Sequence, residues 1–197
     1  MGWYAYVPTM ECFHGILSMN HTLNGQLTLN NSKLNFDGGK GYIEKDWGRN
    51  FPKNWIWAQS NHFQESELSV SISLATIPWK KSHFSGYIVG VQHKNTLYRF
   101  TPYRRSKITH LCYDGTFLEW HLKSGGIEIQ FKLERGTKSG LLYAPDETDM
   151  VPKVDEYLDG KINCKLIFDG KTVIEDQTNK AALEIIGDTD KLIASVK

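Results

Sequence analysis

The stretch Leu68-Ser69-Val70-Ser71-Ile72-Ser73-Leu74 decides the fold class, because apolar and small polar residues alternate in it without a break. Side chains on a β-strand point to opposite faces in turn, so a period of two is typical of a strand with one buried and one solvated face. The same alternation recurs in residues 118–122 and 127–133. We therefore expect several amphipathic strands.

Turn-forming dipeptides separate these runs. Asp114-Gly115 lies between residues 108–113 and 116–122, and Asp169-Gly170 follows residues 161–168. Both dipeptides predict tight hairpins. Strands recurring about every ten residues favour an antiparallel barrel or sandwich.

Helical patterns between strands, which a doubly wound fold requires, are missing from the sequence. Residues 178–184 and 188–194 suit a turn or so of helix, and residues 145–152, which hold two prolines and three acidic residues, suit an exposed loop. The pattern therefore predicts an all-β, antiparallel fold with little helix.

Composition limits the domain count and the partners. The 197 residues predict a single domain, and 40% apolar residues are enough to build a core. Lys and Arg number 23 against 22 Asp and Glu, and this near-neutral balance argues against sequence-independent nucleic-acid binding. No apolar run approaches the roughly 20 residues that a membrane-spanning helix needs.

The cysteines and the first residues bear on the compartment. Cys12, Cys112 and Cys164 form no CxxC pair, and we expect three buried, free thiols in a reducing compartment. The first eight residues lack the charged and apolar regions of a signal peptide. We therefore expect a cytoplasmic protein, whose oligomeric state the sequence leaves unknown.

Residues 41–63 carry the densest pattern, with two predicted strands flanking a loop at residues 48–54. This pattern favours either a small-molecule pocket with aromatic walls or a Trp-rich core whose amides bind neighbouring backbone. The first strand puts Tyr42, Glu44 and Asp46 on one face and Trp47 on the other; the second puts Trp55, Trp57, Gln59 and Asn61 on one face.

This segment resembles the core signature of the tocopherol cyclase family. The matching residues are Gly41-Tyr42-Ile43-Glu44-Lys45-Asp46-Trp47-Gly48, then Phe51-Pro52, then Trp55-Ile56-Trp57-Ala58-Gln59-Ser60-Asn61. Residues 2–8, 11–15, 18–21 and 179–184 are similar to further family motifs, in the same order, whereas residues 65–157 match only in strand pattern and spacing.

The resemblance implies a lipocalin-like antiparallel barrel over residues 1–197, with the remnant of a second barrel as an option. The chain would correspond to the C-terminal portion of a longer family member. The family closes the chromanol ring of tocopherols: a prenyl double bond is protonated, and a phenol oxygen traps the tertiary cation. This implies a small lipophilic molecule as the partner and no cofactor.

The implied chemistry requires a carboxyl group that stays protonated in a dry, aromatic site. Less specific roles are open as well: an ion pair for Glu44, a turn hydrogen bond for Asp46, and backbone partners for the histidines. No HxH or HExxH spacing supports a metal site. The candidates are Glu44, Asp46, His14 and His21 for catalysis, and Tyr42, Trp47, Trp55, Trp57, Gln59 and Asn61 for substrate binding.

Two residues depart from the family pattern: Asn20 stands where the family has Asp, and Asp46 where it tends to have Asn. Three hypotheses follow: a cyclase-like enzyme, a non-catalytic binder of a lipophilic molecule, and a sugar binder with exposed Trp55 and Trp57. The basic pairs Lys80-Lys81 and Arg104-Arg105 suit either peripheral contact with an anionic membrane or solvated loops.

Overall fold

The computed structural model describes residues 2–8, 10–79 and 82–196. Antiparallel strands make up most of its regular structure, so the all-β prediction is confirmed. Two short 3-10 helices, Gly2–Tyr6 and Pro102–Arg104, accompany them. The strands are β1 (Cys12–Leu23), β2 (Gln26–Leu29), β3 (Ser32–Asn35), β4 (Gly39–Gly48), β5 (Trp55–Ser60), β6 (Leu68–Trp79), β7 (Ser82–His93), β8 (Thr96–Phe100), β9 (Lys107–Tyr113), β10 (Phe117–Ser124), β11 (Ile127–Glu134), β12 (Ser139–Asp146), β13 (Asp149–Phe168) and β14 (Lys171–Ile186).

The main sheet runs in the order β8-β7-β6-β5-β14-β13-β11-β10-β9, and β12 pairs with the first half of β13. The sheet folds over on itself. Two strands that are far apart in its order therefore come into contact: the ring centroids of Tyr87 on β7 and Trp120 on β10 are 6.0 Å apart. Within the described residues its edge strands, β8 and β9, do not pair with each other. The architecture is therefore a sandwich rather than a barrel closed by hydrogen bonds.

The larger of two hydrophobic clusters fills the folded sheet. Leu68, Val70, Ile72 and Leu74 of β6 are fully buried in it, as the alternating pattern predicts. Leu192 and Ile193 of α1 (Thr189–Ala194) close one side of this core. The predicted short helix at residues 188–194 is thus present.

A second layer, the two-stranded sheet of β1 and β4, lies on the outer face of β5 and β6. The hydroxyl of Ser69 donates to the carbonyl oxygen of Met19 at 2.7 Å, and the Tyr42 hydroxyl lies 3.1 Å from Oγ of Ser71. Ser69 and Ser71 are therefore buried. The prediction of a solvated serine face is wrong for β6 because this second layer covers it.

The solvated face that the pattern predicts is present on β10 and β11. Glu119 and Lys132 are partners across these two strands, and their charged groups form an exposed ion pair at 3.1 Å. The hairpins predicted at Asp114-Gly115 and Asp169-Gly170 also form, between β9 and β10 and between β13 and β14.

Several local predictions are wrong. Residues 178–184 are strand, since they pair with β13 and β5, and this pairing outweighs their helix propensity. Residues 145–152 form the tip of the β12–β13 hairpin rather than a free loop. Cys112 is exposed, whereas Cys164 is buried and Cys12 is intermediate.

Of the two basic pairs, the structure describes only Arg104-Arg105. Arg104 and Arg105 are exposed at the end of a 3-10 helix, and Lys80-Lys81 lies outside the described residues. Among the helices in the described part of the chain, none has the length and apolar character needed to cross a membrane.

Candidate active site

A cavity of about 410 Å³ is lined by residues of the β1–β4 layer and of the main sheet. Its volume falls within the usual range of small-molecule sites, about 300–1,000 Å³. The face of β5 that carries Trp55 and Trp57 lies under the β1–β4 layer and forms one side of this cavity. Seven aromatic side chains contribute to the lining, namely Tyr4, Tyr42, Phe51, Trp55, Trp57, Tyr87 and Tyr103.

Strand pairing brings three ionisable side chains together at this cavity. In the antiparallel register of β1 and β4, His14 lies opposite Asp46 and Ile16 lies opposite Glu44. Nδ1 of His14 is 2.7 Å from Oδ1 of Asp46 and 3.4 Å from Oε1 of Glu44. The structure thus joins three of the four predicted catalytic residues.

Glu44 is the carboxyl group best placed to act as an acid. Its side chain is only 11% exposed, and burial raises its pKa to about 7, although the positive charge of His14 and a hydrogen bond from Tyr42 oppose the rise. Nε1–H of Trp57 also donates to its Oε2 at 3.2 Å. Glu44 therefore keeps its proton to a higher pH than an exposed glutamate does.

His14 connects Glu44 to a more exposed group. Burial alone lowers the pKa of His14, but the hydrogen bond with Asp46 and the negative charges of Glu44 and Asp46 raise it above its ordinary value. The side chain of Asp46 is 30% exposed against 15% for His14. The three groups therefore form a path along which a proton from solvent could reach Glu44.

The sequence analysis did not predict a second, partly buried carboxyl group, that of Glu184. It lines the cavity from β14, and Nε1–H of Trp55 donates to its Oε2 at 2.6 Å. Burial raises its pKa to about 7, and the nearby charges of Glu156, Asp46 and Glu44 add to the rise. Its position next to β5 depends on pairing with a strand 129 residues away, which no local pattern indicates.

Four of the predicted site residues lie outside the cavity lining. Trp47 is on the opposite face of β4, 45% exposed and stacked on Phe13 at 5.5 Å. Nδ1 of His21 is 2.9 Å from Oγ of Ser18, further along β1.

Gln59 and Asn61 share the face of Trp57 but lie beyond the end of the cavity. The side-chain nitrogens of both amides are buried without a hydrogen-bond partner among the described residues, so these atoms lack the predicted backbone partners. Asn61 lines a separate polar cleft with Lys40 and Lys180.

The side chains of His14, Glu44 and Asp46 could also hold a metal ion, since one ligand atom of each lies within 4.8 Å of the others. The sequence does not predict this grouping. Metal-binding motifs such as HxH and HExxH are local, whereas these three residues come together only through the pairing of β1 with β4. An imidazole and two carboxyl oxygens are ligands that several divalent ions accept.

The tryptophans are placed for a cavity rather than for a flat exposed surface. Trp55 is 6% exposed and Trp57 is half-buried. The sugar-binding hypothesis required both rings to be exposed on one face, and the burial of Trp55 contradicts it.

Fold and site together define a class: an all-β sandwich with an aromatic-walled cavity under a second layer, and with two partly buried carboxyl groups in that cavity. The family model described as tocopherol cyclase-like matches residues 1–187, and the chain belongs to this family. The predicted family resemblance is thereby confirmed.

Two curated relatives are similar over 199 aligned residues. The chain is 25% identical to "Probable tocopherol cyclase, chloroplastic" of Oryza sativa subsp. japonica and 26% identical to "Tocopherol cyclase, chloroplastic" of Zea mays. Each alignment covers 94% of this chain, and the chain spans about two fifths of each relative, 42% and 41%. No solved structure matches the chain.

Proposed function

We propose that the protein closes a ring on a prenylated hydroquinone or a related isoprenoid phenol by acid catalysis. The observation that carries the proposal is Glu44, whose partly buried carboxyl group has a pKa raised to about 7 and lines a cavity with aromatic side chains. Membership of the tocopherol cyclase-like family and the names of the two plant relatives support it.

The proposed reaction is an isomerisation whose atoms balance without a co-reactant. The O–H bond of Glu44 breaks as its proton joins the less substituted carbon of the prenyl double bond. The other alkene carbon becomes a tertiary cation, and a lone pair of the phenol oxygen forms the new C–O bond to it. Loss of the phenolic proton completes the ring.

The aromatic lining suits the cation in this sequence. A ring face attracts a positive charge through its quadrupole, by about 2 kcal/mol when water is excluded. Trp57 donates its N–H to Glu44, so the ring beside the acid is fixed in place. The cation would thus form next to an aromatic wall.

After each turnover Glu44 needs a new proton. His14, with its raised pKa, lies between Glu44 and the more exposed Asp46, and it would pass a proton inward from solvent. This assigns His14 and Asp46 to the supply of protons rather than to contact with the substrate.

The test uses Glu44→Gln, which keeps the shape of the side chain but removes the acid. We expect the rate of ring closure of a prenylated hydroquinone, followed by chromatography of the isomeric product, to fall by a factor of about 10² to 10⁴. Glu175→Gln is the matched control, since Glu175 is an exposed surface residue paired with Lys165.

Two outcomes would contradict the proposal. Equal rates for the wild type and Glu44→Gln would exclude Glu44 as the acid. Activity that EDTA abolishes and a divalent ion restores would assign His14, Glu44 and Asp46 to a metal instead.

A second function, non-catalytic binding of a lipophilic molecule, is favoured by the apolar lining alone, which does not depend on the two carboxyl groups. Saturable binding of the hydroquinone by the wild type without any ring closure would support this function and contradict the cyclase proposal.

A further inference from the structure

The cavity holds two carboxyl groups in matched settings. Trp55 and Trp57 project from the same face of β5, and each indole N–H donates to one carboxyl group: Trp55 to Glu184 at 2.6 Å and Trp57 to Glu44 at 3.2 Å. Glu184 is also the backbone partner of Trp57 across β5 and β14. Glu44 and Glu184 therefore reach the cavity from different sheets, and each is bound by a tryptophan of the same strand.

Their surroundings differ in charge. Glu44 lies beside the imidazole of His14, which acts on it as a cation. Glu184 instead faces negative groups, with Glu156 on β13 and with Asp46 and Glu44 on β4. Among the described residues that line the cavity, His14 is the only basic side chain.

The proposed ring closure needs two proton transfers at different places. One proton enters at an alkene carbon, and another leaves from the phenol oxygen once the C–O bond begins to form. While Glu44 delivers the first proton, a second group is needed to receive the other.

We propose that Glu184, which lines the same cavity as the acid Glu44, is the base that accepts the phenolic proton. This inference rests on the proposed function. In the step, the phenol O–H bond breaks, its electron pair remains on the oxygen now bound to carbon, and the proton forms an O–H bond on the Glu184 carboxylate. The carboxyl group then loses this proton to solvent, and the overall change is an isomerisation.

Ring closure in D₂O can separate the two carboxyl groups. If Glu44 deuterates the alkene and the cation is not trapped, the cation reverts by losing a proton from the same carbon. Deuterium then replaces the vinylic hydrogen of the recovered substrate. This exchange needs the acid but not the base. A variant that loses ring closure but keeps the exchange has therefore lost the base, whereas loss of a merely structural residue would reduce both reactions.

We expect Glu184→Gln to make the ring product at least 100-fold more slowly than the wild type while still exchanging the vinylic hydrogen of recovered substrate. Glu44→Gln should do neither. Glu175→Gln, the same change on the exposed face of the same strand, should match the wild type in both. Mass spectrometry of product and recovered substrate gives both readouts.

The outcomes distinguish the two proposals. No ring product from the wild type defeats the proposed function itself. If the wild type is active, an equally active Glu184→Gln overturns the role of Glu184, and so does a variant that loses ring closure and exchange together.

Should Glu184→Gln fail to fold, Trp55→Phe keeps the Glu184 carboxyl group but removes its hydrogen-bond donor. That variant should shift the ratio of exchange to ring closure upward, and an unchanged ratio would overturn the inference.

Discussion

Burial among aromatic side chains is the main cause of the raised pKa of both Glu44 and Glu184. For Glu184 the hydrogen bond from the indole N–H of Trp55 partly offsets this effect, and for Glu44 the positive charge of His14 and the hydrogen bond from Tyr42 do so, yet both pKa shifts remain upward. The folded protein therefore binds protons at these positions more tightly than the unfolded chain does.

This linkage predicts how Glu184 affects stability. A carboxyl pKa that rises from 4.5 to about 7 on folding contributes stability below pH 4.5, and that contribution is lost as the pH rises through about 7. Glu184→Gln stays neutral throughout, so its stability relative to the wild type should increase between pH 5 and pH 8. At about 1.4 kcal/mol per pH unit, the gain has an upper limit of about 3 kcal/mol.

Thermal melts at both pH values measure this change, and the exposed substitution Glu175→Gln is the control. Each kcal/mol corresponds to about 2–4 °C in a chain of this size. A difference in Tm between wild type and Glu184→Gln that stays constant with pH would contradict the assignment.

At this scale the sequence could predict some site residues and not others. Tyr42, Glu44 and Asp46 are two apart on one strand, so alternation alone puts them on one face. Trp47 was placed on the other face by the same rule, and the structure leaves it there. Glu184 could not be predicted, because the pairing of β14 with β5 is a property of the whole sheet.

At one end of the β1–β4 layer, the backbone around Gly48 lies in close contact with the backbone of Glu11. Gly48 has φ of +148°, and the backbone N–H of Arg49 donates to the carbonyl oxygen of Glu11 at 2.8 Å. A Cβ atom at position 48 would collide with that same carbonyl oxygen. Only glycine fits here without moving the backbone.

Gly48→Ala should therefore destabilise the protein by about 1–3 kcal/mol and weaken the cavity wall that carries Glu44. Urea denaturation measures the first effect, and ring closure measures the second. Gly140→Ala on β12 is the control, because an added Cβ there meets nothing within 4 Å. Equal stability of both variants would show that the close contact at Gly48 tolerates a side chain.

Whole strands were easier to predict than their surroundings. The alternation in β6 located the strand, but it could not show that the β1–β4 layer would bury its serine face. Residues 178–184 suited a turn of helix locally, yet β13 and β5 both pair with this segment. In each case the missing information is a contact between residues distant in sequence.

At the scale of the whole molecule, the main sheet and the β1–β4 layer differ in burial. Four side chains of β6 are fully buried in the main core, whereas on β1 and β4 the buried residues are Met19 and Gly41. Few buried apolar contacts mean a low free energy of local opening. We infer that the β1–β4 layer opens before the main sheet does.

Hydrogen exchange followed by mass spectrometry should therefore show amides of β1 and β4 exchanging at least about tenfold faster than those of β6. A bound lipophilic hydroquinone should slow exchange in β1 and β4 more than in β9 to β11, since it would contact the first pair. Equal protection of the two layers would contradict this picture of the fold.

The two indole–carboxyl hydrogen bonds have an optical consequence. Tryptophan emission responds to the charge beside the ring, and Trp55 and Trp57 each donate to a carboxyl group with a pKa of about 7. Trp120, by contrast, is fully buried in the core away from the cavity lining. The intrinsic fluorescence of the protein therefore contains a signal from the cavity, and the emission lost in Trp55→Phe or Trp57→Phe separates the titration of Glu184 from that of Glu44 without any added dye.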